Sequence, residues 1–101
     1  MTEFGHFIDG TTIAGTRHFP VRNPANSAIL GHAPLADAAT LDAAVAAAAR
    51  AFAGWSATPD ADRAAAVSRI ADAIERHAEE LAQLLTAEQG KPLNGTGSRF
   101  E

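Results

Sequence analysis

The stretch PDADRAAAVSRIADAIERHAEELAQLLTAE, residues 59–88, decides the fold. Val67, Ile70, Ile74, Leu81 and Leu85 recur at steps of three, four or seven, which places them on one stripe of a helix. Asp72, Glu75, Arg76, Glu79, Glu80 and Gln83 fall on the opposite, solvated side. Thr58 before Pro59 offers an N-cap and an N1 proline, and Asp60 and Asp62 put negative charge at the positive end of the helix dipole. Gly90 suits the left-handed conformation just past the last turn, and Pro92 stops the helix from resuming. The pattern predicts one long amphipathic helix over residues 59–89.

A second helix is expected over residues 37–54. Asp37 is its N-cap, Leu41, Val45, Ala48, Phe52 and Trp55 form its stripe, and Gly54 lies near its end. Alanine at 43, 44, 46, 47, 49 and 51 lets another backbone approach closely, so this helix should pack on the long one with Phe52 and Trp55 as bulky anchors. Residues 4–35 read as extended and turn-rich. Phe7-Ile8 enters a turn at Asp9-Gly10, and His18 to Arg22 and Ala28 to His32 are further strands. Pro20 calls for an edge position, and Asn23-Pro24-Ala25-Asn26-Ser27 is a turn cluster. The expectation is a three-stranded antiparallel ribbon followed by two packed helices, an α+β arrangement. At the far end, Ser98 and Glu101 match a capping box, so a third helix should start at 98–101, and we expect the chain to be a piece cut where that helix begins.

Composition narrows the function. Of the 101 residues, 47% are hydrophobic, yet much of that is alanine, which buries little area. A net charge of −4, with scattered basic residues, excludes a nucleic-acid surface. There is no cysteine, hence no disulfide, no thiolate metal site and no cysteine nucleophile within these residues. No signal-peptide pattern opens the chain, and the uncharged run from Ala43 to Ala49 is too short to span a bilayer; a soluble, cytoplasmic protein with no membrane partner is expected.

Few residues invite chemistry. Gly95-Thr96-Gly97-Ser98-Arg99-Phe100 half-matches a dinucleotide fingerprint, but it follows a helix and has Phe100 in the third glycine's place, so it reads as a loop. The histidines, His6, His18, His32 and His77, lack metal-ligand spacing; His77 borders the stripe and reads as a packing residue with one hydrogen bond. Arg63 lies within the stripe, where a charge needs a partner, and an ion pair with a neighbouring segment is expected. Glu88 sits where the helix dipole disfavours a carboxylate, so it is either exposed or offset by a cation. Glu79 and Glu80 should be solvated.

Taken in order, Phe7-Ile8-Asp9-Gly10, Phe19-Pro20-Val21-Arg22-Asn23-Pro24-Ala25, the alanine-rich run Ala38 to Ala48 leading to Phe52 and Trp55, Arg63, and Glu88-Gln89-Gly90-Lys91-Pro92 resemble the opening of the aldehyde dehydrogenase superfamily. The resemblance implies a much longer α/β protein in which residues 1–101 begin a Rossmann-type cofactor-binding domain. It implies oxidation of a small-molecule aldehyde to a carboxylic acid with NAD or NADP, through a cysteine thiohemiacetal and a water-activating glutamate, in a homo-oligomer, either a dimer or a tetramer. By the family pattern, the catalytic and cofactor-binding residues all lie beyond residue 101, and this chain alone should be inert. One site carries over: backbone oxygens of Val21 and Arg22 with the carboxylate of Glu88, as ligands of a monovalent cation. Glu88 is longer than the family's commoner aspartate. The rival reading is a small self-associating helical interaction module without enzymatic activity.

Overall fold

A computed structural model describes residues 3–101 of the chain. Its elements run β1 (His6–Ile8), β2 (Thr11–Ile13), β3 (His18–Arg22), β4 (Ile29–Pro34), α1 (Ala38–Ala57), α2 (Asp60–Arg76) and α3 (Ala78–Gln89). They group into two compact units, Met1–Val21 with Gly31–Pro59, and Arg22–Leu30 with Asp60–Glu101.

The expected three-stranded ribbon is instead two separate two-stranded sheets, β1 with β2 and β3 with β4. The first is a tight hairpin with His6 opposite Ile13 and Ile8 opposite Thr11. Its turn residues, Asp9 (φ 53°) and Gly10 (φ 74°), both take positive φ, the combination whose twist matches the flanking strands. That turn closes a local pair and leaves β3 to pair with β4 across the Asn23–Ala28 turn. Asn23 and Asn26 hold this turn: their Oδ1 atoms accept from the amides of Ala25 (2.9 Å) and Ala28 (3.0 Å). An isolated parallel bridge between Glu3 and His32 adds the only further pairing among the described residues.

Asp37 caps α1 as expected, its Oδ1 accepting from the Thr40 amide at 2.8 Å and from the Thr40 hydroxyl at 2.7 Å. The helix runs past Gly54 to Ala57 and ends at Thr58, whose backbone is extended (φ −66°, ψ 135°). The following proline forces that geometry. Thr58 therefore closes α1, with its amide on the Trp55 carbonyl (3.1 Å) and its hydroxyl on the Gly54 carbonyl (2.8 Å), and it does not serve as the N-cap of the next helix.

The face of α1 that finds a neighbour is also not the expected one. Ala44, Ala47, Ala48 and Ala51 line a groove with Phe7 to Gly10 of the first hairpin, and Ala47 is buried. Phe52 and Trp55 remain 67% and 47% exposed, so they anchor nothing. Small side chains let backbones approach closely, whereas bulky ones hold them apart, and here the alanine face makes the contact.

Residues 60–89 form two helices, not one. His77 stands between them with φ −106° and ψ 14°. Its amide reaches back to Ile74 O (3.1 Å), a three-residue step that tightens the turn, while its own carbonyl receives the Leu81 amide (2.9 Å) and starts α3. Periodicity cannot register this, because Ile74 and Leu81 keep their seven-residue spacing across the break. The C-terminus of α3 is as expected: Gly90 is left-handed (φ 72°, ψ 13°) and its amide caps Thr86 O.

No third helix starts at Ser98. Residues 93–100 form bends and turns, and both halves of the expected capping box are engaged elsewhere: the Ser98 hydroxyl with Thr86 and the Glu101 carboxylate with Lys91.

Gly54 lies inside α1, where a Cβ would meet nothing within 4 Å. Gly54→Ala should therefore stabilise the first unit by ~0.5–1 kcal/mol, the helix-propensity difference, measured as a shift in the denaturation midpoint at unchanged slope.

Candidate functional site

The densest polar constellation links α3 to the segment that follows it. Arg99 Nε and Nη2 donate to Glu79 Oε2 (2.9 Å) and Oε1 (2.7 Å), a two-pronged contact, and Arg99 Nη1 also donates to Asn94 Oδ1. Gln83 Nε2 adds a bond to Glu79 Oε1 at 2.9 Å. The hydroxyls of Thr86 and Ser98 pair at 2.8 Å, with Ser98 buried, and Lys91 pairs with Glu101. Between the clamps, Gly97 presses on the chain: a Cβ there would come within 1.7 Å of the Pro92 carbonyl oxygen. Leu81, Ala82 and Leu85 of α3 and Ile74 of α2 line a groove whose other wall is Ser98, Arg99 and Glu101.

This arrangement binds charge to charge and leaves no reactive group. The hydrogen bonds from Arg99, then that from Gln83, hold the Glu79 carboxyl from its ordinary 4.5 down to about 2. Glu79 correspondingly pushes Arg99 upward. A carboxylate so firmly ionised is a poor general acid or base near neutral pH. The expectation that Glu79 is simply solvated is thus corrected; its partner, twenty residues away, carries no local signal in sequence. Glu80 instead lies 3.2 Å from His77 Nδ1. His77 itself is exposed and does not pack. Arg63 pairs with Asp60 one turn earlier in its own helix, not with a neighbouring segment, because the first turn of α2 already carries the acid that the dipole favours.

The residues predicted for a monovalent cation fall as follows. Val21 and Arg22 end β3, and Arg22 Nη1 donates to Ser27 O (3.0 Å), tying off the turn. Glu88 is exposed in the last turn of α3. Pro24 sits against the end of that helix, its Cγ 3.0 Å from where a Gly90 Cβ would stand, so Arg22's turn and the α3 C-terminus are neighbours. Among the described residues no three His, Asp or Glu side chains cluster as metal ligands. The glycine-rich loop does not fit a nicotinamide cofactor either: Gly97 is packed on Pro92 and Ser98 is bonded to Thr86, leaving no cradle for phosphate.

With the geometry in place, comparison with known proteins gives the class. The chain matches the aldehyde dehydrogenase family over residues 11–100, and it belongs to that family. It is 47% identical over 94 residues to an N-succinylglutamate 5-semialdehyde dehydrogenase of Burkholderia ambifaria, covering 92% of this chain and 19% of that protein. It superposes on an NAD-dependent benzaldehyde dehydrogenase from Corynebacterium glutamicum with a TM-score of 0.84 at 35% identity, over 89% of this chain and 20% of the other. A 3,6-anhydro-L-galactose dehydrogenase solved in complex with NAP gives 0.87 at 30% identity, over 91% and 20%. The chain thus spans about a fifth of the length of the relatives it matches.

Because the folded pKa of Glu79 lies below its unfolded value, the clamp's contribution is full above about pH 4.5 and is lost as the pH falls towards about 2. Hydrogen exchange at the Ser98 and Arg99 amides should accelerate across that window. Arg99→Ala should give the fast rates already at neutral pH, and added salt should narrow the difference, since Glu79 is 60% exposed.

Proposed function

We propose that this chain forms the opening scaffold of a longer enzyme that oxidises a small-molecule aldehyde to a carboxylic acid, with NAD or NADP as hydride acceptor. The observation that carries this reading is the family match over residues 11–100, joined to the fact that the matched region is about a fifth of each relative. The relatives named above act on chemically different aldehydes, so the match supports an aldehyde dehydrogenase without selecting a substrate. With no cysteine among its 101 residues, the chain supplies no thiol nucleophile. Its part is structural: hairpins, helices and a clamped segment on which a reactive half is built. The family match favours this over a stand-alone interaction module.

The finer parts of the reading rest on the family resemblance. They are a homo-oligomeric, cytoplasmic enzyme without nucleic-acid or membrane partners, and a monovalent cation held by the Val21 and Arg22 carbonyl oxygens and the Glu88 carboxylate. No helix among the described residues is long and apolar enough to cross a membrane.

Two measurements test the proposal. The isolated chain, mixed with an aldehyde and NAD or NADP, should yield no reduced nicotinamide. A chimaera in which residues 11–100 replace the matching segment of an active relative should yield it, and a folded but inactive chimaera would refute the scaffold role. In that chimaera Glu88→Ala should abolish the rise in melting temperature given by potassium or sodium over a bulky organic cation; an unchanged rise removes the cation site.

A further inference from the structure

Val67, Ile70, Ile74, Leu81 and Leu84 stand at steps of three, four, seven and three, the a and d positions of a heptad. All five are open to solvent, at 57%, 61%, 56%, 43% and 46% exposure. Ile74 and Leu81 line the same groove with Ala78 between them, so the stripe continues on one face across the break at His77. The positions beside it on α2 and at the start of α3 are Ala64, Ala66, Ala71, Ala73 and Ala78, while Arg69, Asp72, Glu75 and Arg76 fall on the outer face.

We propose that this stripe is a pairing surface for a second copy of the chain, meeting its own equivalent across a two-fold axis. Three features favour that occupant. The heptad spacing is self-complementary, since identical rows interdigitate when a helix meets its like. No charge flanks the stripe between residues 64 and 78, so two copies meet without like-charge repulsion, and nothing there attracts a charged partner. The alanine flanks admit close approach of the helices. With about half of each side chain uncovered, the five residues present on the order of 500 Å² of apolar surface, near the upper end of what monomeric proteins leave bare. Together with the alanines they approach the ~800 Å² per partner of a standard interface.

The inference concerns the 101-residue chain itself and is read by mass, not by turnover, so it stands or falls separately from the catalytic reading. Sedimentation equilibrium over micromolar to submillimolar concentrations should give a reversible dimer. Ile70→Asp should abolish it while leaving the far-ultraviolet helical signal intact. The chain has no cysteine, so a single Ala71→Cys should cross-link copies under mild oxidation, whereas Asp72→Cys on the outer face should not. A monomer at every concentration overturns the proposal. So does association that survives Ile70→Asp, including association through the Phe52 and Trp55 face of α1. If Ile70→Asp loses its helical signal, the cysteine pair decides, and equal cross-linking at both positions overturns the proposal.

Discussion

Close approach through alanine limits how far this chain can hide its own apolar surface. Ala47 on α1 and Ala82 on α3 are the buried hydrophobic residues, and each lines a groove against a neighbouring segment. An alanine removes little area from water, so burial at these points is worth a fraction of what a leucine or phenylalanine would give. Backbone hydrogen bonding has to carry what side-chain burial does not. That is why the termini of these elements are so fully satisfied: Asp37 at the start of α1, Thr58 at its end, the Asn23 and Asn26 turn, and left-handed Gly90 after α3.

The same constraint explains what could be read from sequence. Caps and turns are local, written in one residue and its neighbours within four positions, and Asp37, Asp9-Gly10 and Gly90 all do what their chemistry dictates. Which face of a helix is covered is not local. The bulky stripe of α1 promised a core, yet the alanine face opposite took the contact with the first hairpin, because the apolar pattern records which residues would gain from burial and not which surface arrives. The break at His77 escaped for a different reason: one tightened turn leaves the heptad phase unchanged.

The candidate site divides along the same line. The polar clamp of Glu79 and Arg99 spans twenty residues and owes nothing to periodicity, so no spacing rule could anticipate it. Ser98 was readable as a helix cap, and its hydroxyl went to Thr86 instead, since a buried hydroxyl takes the nearest partner that satisfies it. Family membership was legible because it rests on the order of short motifs rather than on packing. The residues that would perform aldehyde chemistry are not among these 101, and the missing cysteine alone makes that plain.

The interruption at His77 has a mechanical corollary. In an unbroken helix, fraying at one end is opposed by the hydrogen-bond ladder along its whole length. Here α3 is tied to residues 94–101 through Glu79, Thr86 and Lys91, whereas α2 has no such ties beyond its own Arg63 and Asp60. The two helices are thus separate cooperative units of unequal strength. A protease that nicks the chain near the joint would find the Ala78–Glu101 half the slower to digest.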